Sequence, residues 1–349
     1  MEMRVLSVFS NKITGPAIAL INILKGLSDL GEEVDVVGSP DPPYAHFFAE
    51  LADHGVRVHR EPFIWHRPSK TVRGLVKEAD VVHAHDSRSG YALGHLKGGK
   101  PMVLTMGGDP YFELQHERVP FYKKLLAKRL WKYTLQGSDL IVPCSRWLAS
   151  QVEEKYGLEG RTRPIHNPCD VEKFKDIEHD WGSRVVLSVG RTDYVKAPDV
   201  LERAASEVLK LDPEVRFVWI GDNNRRESPY VEYMPFQSDV RPFYERAQVF
   251  AITSRYEPFG IVAVEAQAAG LPVIASRTGG LVENVLDGRT GLLVEPEDPS
   301  ALAGALMSLL RDEGRCQRYG EEGRKWAERF SPENIASQYL KVYEEVLMS

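Results

Sequence analysis

The sequence predicts an α/β protein with two doubly wound parallel sheets, and two observations carry this prediction. Short apolar runs alternate with helical patterns, an order typical of parallel sheets with helices on both faces. The alternation begins afresh after residue 166. The chain has 349 residues, more than the roughly 250–300 at which a single hydrophobic core stops growing. We therefore expect two domains.

The first half of the chain starts with an apolar run at residues 3–9. A loop containing glycine follows, and then an apolar-periodic stretch from Ala17 to Leu30 that stops at Gly31. This order predicts a strand, a loop and a helix with a glycine C-cap. Further strands are predicted at 34–37, 56–59, 80–85, 101–106 and 139–144. We expect an N-terminal domain over residues 1–166.

The second half repeats the pattern after a polar, irregular segment at 167–183, which predicts a linker. A second domain is expected over 184–330, with helices at Ala197–Leu211 and Gly260–Ala269. The segment 331–349 predicts a last amphipathic helix, because Ser331-Pro332 supplies a cap and a first turn. Strands of the second domain are predicted at 184–190, 215–221, 249–253, 272–276 and 291–295.

Composition excludes several classes of protein. The net charge of −6 lacks the basic excess typical of nucleic-acid-binding proteins. Cys144, Cys169 and Cys316 are odd in number and widely spaced, so neither a disulfide framework nor a zinc pair is predicted. The N-terminus lacks the pattern of a signal peptide, and no apolar run of 18 residues occurs. We expect a cytoplasmic protein.

Two common types of site are weakly supported. No G-x-G-x-x-G follows the first strand, so a dinucleotide site of the Rossmann type is not predicted. His83 and His85 share one face of a strand and Asp86 follows them, but no third metal ligand is evident. We predict no metal site, and we expect His83 to be structural.

Glu257 and Glu265 straddle the predicted start of a helix. Eight residues of helix rise about 12 Å, beyond the roughly 5–9.5 Å that separates paired glycosidase carboxylates. These acids therefore suit the two ends of an elongated ligand better than hydrolysis. The helix N-terminus near Phe259 and Gly260 offers free N–H groups, which suit a diphosphate between them.

Two further signals lie nearby in the second half. Arg191 and Lys196 directly follow a predicted strand, where ligand crevices form in α/β folds. Both cations can reach one phosphate group. Gly279-Gly280 is a turn of small residues that opens another helix.

Taken together, these motifs resemble the retaining glycosyltransferases of family 4, which have the GT-B fold. The resemblance covers nearly the whole chain. It implies two Rossmann-like domains that face a cleft, with the last helix crossing back to the N-domain. The domain at 1–166 would bind the acceptor, and the domain at 184–330 would bind the nucleotide-sugar donor. It also implies transfer of a sugar from a nucleoside-diphosphate sugar to a hydroxyl of a glycan, a lipid-linked acceptor or a small molecule. It further implies that neither a metal nor a further cofactor is required.

The resemblance also implies a role for each matching residue. Catalysis would depend on His85 beside the anomeric centre, on Glu257 at the donor sugar, and on Arg191 and Lys196 at the diphosphate. Donor-binding residues would hold the ribose, the sugar, the base and the phosphate; they are Glu265, Phe259, Gly260, Ile261, Tyr233, Met234, Gly279, Gly280, and Gly15 with Thr14 and Pro16.

Alternatives stay open at this point. Each charged candidate also fits a structural role, as a surface acid, a solvated loop cation or a hydrogen-bonded strand-end histidine. The same fold serves sugar phosphorylases, and a non-catalytic paralogue could bind a nucleotide-sugar or glycan. The stretch 105–109 lacks the histidine that is frequent in the family, and Asp109 is the candidate replacement for polar contacts. The sequence does not specify the nucleotide base, the sugar or the acceptor. It also leaves open a front-face or a covalent reaction route and the oligomeric state.

Residues 117–133 form a basic segment with interleaved leucines and aromatics. Such a helix can lie on an anionic membrane, which would make the protein peripheral. It can equally be a solvated helix that packs its leucines on the sheet. Six of its residues are basic: Arg118, Lys123, Lys124, Lys128, Arg129 and Lys132.

Overall fold

A computed structural model describes residues 3–8, 15–38, 45–60, 66–109, 120–221 and 226–349. The chain divides into two compact units. The first comprises residues 1–168 together with 332–349, and the second comprises residues 169–331.

The first unit contains a six-stranded sheet in which all neighbouring strands are parallel. Its order, β3-β2-β1-β4-β5-β6, is that of a Rossmann sheet. The strands are β1 (Arg4–Val8), β2 (Glu33–Gly38), β3 (Arg57–Arg60), β4 (Val81–Ala84), β5 (Met102–Met106) and β6 (Leu140–Pro143). The helices between them are α1 (Gly15–Asp29), α2 (Ala45–Asp53), α3 (Lys70–Glu78), α4 (Ser87–Leu96), α5 (Phe121–Gly137) and α6 (Arg146–Tyr156).

The second unit repeats this topology in a second parallel sheet of order β12-β11-β10-β7-β8-β9. Its strands are β7 (Val185–Val189), β8 (Arg216–Ile220), β9 (Glu232–Met234), β10 (Val249–Ile252), β11 (Val273–Ser276) and β12 (Gly291–Val294). Its helices are α7 (Pro198–Leu211), α8 (Arg241–Arg246), α9 (Ile261–Ala268), α10 (Leu281–Asn284), α11 (Pro299–Leu310) and α12 (Glu313–Ala327). Short 3-10 turns lie at Val171–Lys173 and Glu328–Phe330.

The last helix, α13 (Pro332–Met348), belongs to the first unit and packs on α1. Its apolar face buries Ile335, Tyr339 and Tyr343 in the core of that unit. The two helices approach closely at Gly26, where an added Cβ would lie 2.5 Å from the carbonyl oxygen of Pro332. The prediction that the last helix returns to the first domain is confirmed.

The predicted fold class is confirmed, and the eleven predicted strands correspond to observed ones. Among the described residues, β9 was not predicted, since it has only three residues and lies at the sheet edge. The segment predicted as a linker differs from the structure, because residues 169–183 belong to the second unit. Cys169, Val171 and Phe174 are buried there, and the Phe174 ring packs edge-on against Tyr244 at 5.5 Å. The burial of these few apolar residues was not predicted, because the segment around them is mostly polar.

Candidate functional site

The candidate residues of the second unit lie where its parallel strands end, the edge at which α/β proteins bind ligands. Gly190 follows β7 and Gly221 follows β8. The N–H of Gly190 donates to the Ile220 carbonyl at 2.9 Å, and the N–H of Gly221 donates to the Met234 carbonyl at 3.0 Å. These bonds join the ends of β7, β8 and β9 in one row.

Lys196 and Glu257, two of the predicted catalytic residues, form an ion pair at this edge. Lys196 Nζ lies 2.5 Å from Glu257 Oε2, and the Ser254 hydroxyl donates to the same oxygen at 3.2 Å. Glu257 is only 6% exposed. A carboxylate this buried needs such partners, because leaving it unpaired carries a large desolvation cost.

Hydrogen bonds from two residues that the sequence did not point to, Thr253 and Arg255, fix the loop that carries Lys196. The Thr253 hydroxyl donates to the carbonyl oxygens of Lys196 and Ala197, each at 3.0 Å. The N–H of Arg255 donates to the Val195 carbonyl at 2.8 Å. Ala197 has a φ of +52°, a strained value for alanine that persists only where the surroundings hold the backbone.

Arg191, the second predicted phosphate cation, lies in the same loop and is half-exposed. Its Nε lies 2.7 Å from Asp193 Oδ2. Asp193 also accepts a hydrogen bond from the N–H of Lys196 at 3.0 Å. One carboxylate therefore orders both ends of the loop that carries the two cations.

Gly279 and Gly280 pack directly on the backbone of the loop that carries Glu257. The N–H of Gly280 donates to the Glu257 carbonyl at 2.9 Å. A Cβ on Gly279, whose φ is +56°, would lie 1.9 Å from that same oxygen, and one on Gly280 would lie 2.4 Å from the Pro258 carbonyl. Both positions therefore require glycine for this close backbone approach, independently of any contact with a ligand.

Phe259, Gly260 and Ile261 lead into α9. Gly260 has a φ of +86°, and Ile261 begins the helix. The buried Phe259 ring packs edge-on against Phe330 at 5.7 Å. Asn284, which the sequence reasoning also missed, donates from Nδ2 to the carbonyls of Phe259 at 2.5 Å and Gly260 at 3.3 Å.

Glu265 lies on α9 and has a different partner from Glu257. The Tyr244 hydroxyl donates to Glu265 Oε2 at 3.2 Å. Burial raises the pKa of Glu265, and the hydrogen bond from Tyr244 opposes part of that rise. Tyr244 is fully buried, and burial raises its own pKa as well, so it stays a hydrogen-bond donor.

Tyr233 and Met234 lie on β9 at the edge of the second sheet. The Tyr233 hydroxyl donates to Glu202 Oε1 on α7 at 2.9 Å, so this hydroxyl already has a hydrogen-bond partner within the protein. The Met234 carbonyl accepts from Gly221, as described above. The reading of a base by this backbone stays a prediction.

His85, the predicted catalytic residue of the first unit, directly follows β4. Its Nε2 lies 2.8 Å from the Ser7 hydroxyl on β1, and its ring centroid lies 4.0 Å from that of His83. Burial and the neighbouring His83 lower the pKa of His85 well below the ordinary 6.5. The ring is therefore neutral near pH 7, and it can take part in hydrogen bonds but brings no charge.

His83 has the structural role that the sequence predicts. Its Nδ1 lies 2.7 Å from the Tyr343 hydroxyl and its Nε2 lies 2.7 Å from the Thr105 hydroxyl. Asp86 caps α4 by accepting from the N–H groups of Arg88 and Ser89. Across the described ranges, no three His, Cys, Asp or Glu side chains are arranged to hold a metal ion.

Two other predicted contacts of the first unit are only partly described. Gly15 begins α1, whereas Thr14 lies outside the described residues. Asp109 is buried, and its carboxylate binds Lys155 and the Tyr156 hydroxyl on α6. This anchoring role was not predicted, and contact of Asp109 with an acceptor stays a prediction.

Comparisons with known proteins agree on one family. The family model for glycosyl transferases group 1 matches residues 170–326, and the model for glycosyltransferase family 4 matches residues 13–173. A D-inositol 3-phosphate glycosyltransferase of Xylanimonas cellulosilytica is 37% identical in an alignment 306 positions long, which covers 76% of this chain and 72% of that protein. This chain belongs to the group 1 glycosyltransferases.

Solved structures show the same fold for this glycosyltransferase. Anabaena Alr3699/HepE, solved in complex with UDP-glucose, has a TM-score of 0.80 at 21% identity, covering 99% of this chain and 100% of that one. Sucrose-phosphate synthase of Thermosynechococcus elongatus has a TM-score of 0.75 at 21% identity, with the same coverage of both chains. These likenesses show the fold, two Rossmann-like units, whereas the family assignment shows that the chain is an enzyme of glycosyl transfer.

Proposed function

We propose that this glycosyltransferase takes its sugar from a nucleoside-diphosphate donor, which the second unit binds, and retains the anomeric configuration. The observation that carries the donor assignment is the Lys196–Glu257 pair at the carboxyl edge of the second sheet. It combines a cation with a hydrogen-bond acceptor, which are the groups that a phosphate and a sugar hydroxyl require. The relative HepE was solved with UDP-glucose, which supports the same class of donor.

The chemistry explains why fixed cations matter here. Breaking the bond between the anomeric carbon and the phosphate oxygen leaves the electron pair, and so negative charge, on the diphosphate. Lys196 and Arg191 would stabilise that charge as it develops, together with N–H groups at the start of α9. These groups can supply the charge that a metal supplies in other transferases, so we propose that no metal is required.

The roles of the other candidate residues are proposed from the chemistry of their side chains. Glu257 would accept hydrogen bonds from the donor sugar, and Glu265 would accept them from the ribose hydroxyls. His85, neutral in the first unit, would contribute a hydrogen bond near the reacting carbon. We propose a hydroxyl acceptor whose proton passes to the departing phosphate oxygen in a front-face substitution.

A thermal-shift panel of nucleoside diphosphates, their sugars and sugar 1-phosphates tests the donor. A ligand that binds the native state raises the melting temperature by mass action. We expect one nucleotide-sugar to raise it in the wild type and to have no effect in Glu265→Ala. A response to sugar 1-phosphate alone would support a phosphorylase instead, and no response to any nucleotide would overturn the proposal. Proton NMR of the product tests retention, because an inverted anomeric configuration contradicts it.

We also propose that α5 brings the enzyme to an anionic membrane. One face of this helix is buried through Leu130 and Trp131, whereas Phe121 and Tyr122 are 81% and 67% exposed. Exposed aromatics beside lysines are typical of helices that lie in the membrane interface. The exposed leucines of the same helix are Leu125 and Leu126. Arg118, which belongs to the predicted basic segment, lies outside the described residues.

Vesicle flotation tests the membrane contact. We expect the protein to float with phosphatidylcholine vesicles that contain 20 mol% of an anionic lipid, roughly the regime in which basic helices bind. The double variant Phe121→Ser with Leu125→Ser should lose this binding without a change in melting temperature. Equal flotation of this variant and the wild type, or none by either, would contradict the proposal. None of the described helices is long and apolar enough to cross a membrane.

A further inference from the structure

A buried chain of hydrogen bonds adjoins His85, the candidate catalytic residue of the first unit. His83 and His85 are two residues apart at the end of β4, and their ring centroids lie 4.0 Å apart. The chain of bonds extends from these rings into both neighbouring strands and into α13, the last helix. Buried polar groups are costly unless they are fully hydrogen-bonded, whereas apolar side chains would fill the same space without that cost. Such a network beside a candidate catalytic residue therefore indicates a role beyond packing.

His83 is hydrogen-bonded at both ring nitrogens. Its Nδ1 lies 2.7 Å from the Tyr343 hydroxyl on α13, and its Nε2 lies 2.7 Å from the Thr105 hydroxyl on β5. The Tyr339 hydroxyl, also on α13, lies 2.9 Å from the Thr105 oxygen. His83, Tyr339 and Tyr343 are each at most 1% exposed. The ring of His83 is therefore held in one orientation, and it forms a fixed surface against the ring of His85.

The partners of His83 determine which of its nitrogens carries the proton. A buried hydroxyl almost always donates, and among the described residues His83 Nδ1 is the one partner of the Tyr343 hydroxyl. Burial raises the pKa of Tyr343 well above 10, so this hydroxyl keeps its proton. Burial also lowers the pKa of His83 to about 3, so its ring is neutral. The proton of His83 is therefore on Nε2, which donates it to Thr105.

Ser7 determines the protonated nitrogen of His85 in the same way. Ser7 lies on β1 opposite His83 in the parallel register with β4, and it is fully buried. Its hydroxyl lies 2.8 Å from His85 Nε2, its one hydrogen-bond partner in the described part of the chain. An O–H that donates to Nε2 leaves the proton of the neutral ring on Nδ1. His85 is partly exposed, and the buried atoms that lack a partner in the described ranges do not include Nδ1, so a ligand can reach it.

We propose that Ser7, His83 and Tyr343 are positioning residues for His85, which hold its ring so that Nδ1–H is the group presented to the sugar of the donor. Ser7 sets the protonated nitrogen, and His83, held by Tyr343, sets the plane of the ring. The last helix thereby supports a residue at the carboxyl edge of the first sheet. The consequence for glycosyl transfer rests on the proposed function of His85, whereas the protonation of the two rings does not.

NMR of the imidazole nitrogens tests the assignment in the ligand-free, full-length protein with isotope-labelled histidine. We expect His85 to be protonated on Nδ1 and His83 on Nε2. Ser7→Ala should move the His85 proton toward Nε2, because nothing then donates to that nitrogen. Ser188→Ala is the matched control and should leave His85 unchanged, since Ser188 is 1% exposed on β7 and donates to the Ala251 carbonyl at 2.7 Å. The opposite protonation in the wild type, or an unchanged His85 in Ser7→Ala, would overturn the proposal.

Kinetics with the nucleotide-sugar found by the thermal-shift panel test the consequence for transfer. We expect Ser7→Ala and Tyr343→Phe each to lower kcat for release of the nucleoside diphosphate at least about threefold, the scale of one lost hydrogen bond. In a His85→Ala background neither change should lower kcat further, because a positioning residue acts only through the residue that it positions.

Two kinetic outcomes contradict the proposal, and they differ in what else they contradict. Losses that add fully to that of His85→Ala would reveal a general structural effect and would overturn the positioning role alone. A His85→Ala variant with the kcat of the wild type would overturn the positioning role together with the proposed function of His85.

Discussion

Lys196 Nζ and Glu257 Oε2 lie 2.5 Å apart, although 61 residues separate them along the chain. The resemblance to family 4 glycosyltransferases implies that these residues contact different parts of the donor, the phosphate and the sugar. In the structure, each compensates the charge of the other. On the proposed function, a bound diphosphate would compete with Glu257 for Lys196.

The first prediction concerns this pair. Lys196→Ala should lower kcat/KM for glycosyl transfer at least about tenfold, which corresponds to roughly 1.4 kcal/mol of lost transition-state stabilisation. The physical reason is that Lys196 and Arg191 would share the charge of the departing diphosphate, so losing the ammonium leaves only the guanidinium of the pair. Initial-rate kinetics with the donor found by the thermal-shift panel measure the effect. Lys210→Ala, at an exposed position on α7, is the control and should leave the rate unchanged.

A double variant separates catalysis from stability. Lys196→Met leaves Glu257 buried with an uncompensated charge, so the melting temperature should fall. Adding Glu257→Gln removes that charge and should restore much of the stability, but not the activity. Recovery of transfer in the double variant would show that the pair is structural and would contradict the catalytic assignment.

The second prediction concerns the glycine turn. Gly279→Ala should destabilise the second unit by more than about 1 kcal/mol, because a left-handed φ and a clash with backbone combine at this position. Gly288 also has a positive φ, of +75°, but an added Cβ there would meet nothing within 4 Å. Gly288→Ala is therefore the matched control for backbone strain alone. Thermal unfolding of the two variants measures the difference, and equal losses would mean that the contact with the Glu257 carbonyl is unimportant.

The alternation of strands and helices could be predicted because apolar runs and glycine caps are local signals. Strand β9 (Glu232–Met234) was missed because three residues at an edge carry too little hydrophobic pattern. Lys196 and Glu257 could be proposed from their neighbours in sequence. Thr253 and Asn284 could not, since their role depends on carbonyl groups that only the folded backbone places within reach.

The third prediction concerns acid stability of the first unit. Burial alone would raise the pKa of Asp35, but hydrogen bonds from Arg57, His59 and Arg4 outweigh it and lower the pKa to about 2. A depressed carboxyl pKa stabilises the native state above the unfolded value of 3.8, and this stabilisation is lost as the pH falls through about 2. The contribution near neutral pH is on the order of 2 kcal/mol.

Asp35→Asn tests this linkage. The variant should be less stable than the wild type at pH 7, and the difference in melting temperature should shrink as the pH falls from 4 toward about 2. Titrating groups that share no partner with Asp35 cancel in the difference. A difference that stays constant over this interval would mean that ionisation of Asp35 is not the source of the stability.

The fourth prediction concerns the pH dependence of donor binding. Glu265 accepts hydrogen bonds most strongly when it is ionised, because protonation turns one of its two acceptor oxygens into a donor. Burial raises its pKa above the ordinary 4.5. The affinity for a nucleotide-sugar should therefore fall as the pH is lowered from 7 toward that raised value. A nucleotide-sugar is the right probe because its diphosphate diester does not titrate in this range. Glu265→Gln should bind the nucleotide-sugar more weakly at pH 7, and its affinity should not fall further as the pH is lowered over this range.

Tyr244→Phe provides the sharper test of the same site. The Tyr244 hydroxyl bonds to Glu265 at 3.2 Å and favours the ionised carboxylate. Removing the hydroxyl should raise the pKa of Glu265 further, so the loss of donor affinity should begin at higher pH than in the wild type. Dissociation constants measured by calorimetry across this pH range give the midpoint of each protein. A midpoint that does not move, or that moves to lower pH, would mean that the donor does not bind through the carboxylate of Glu265.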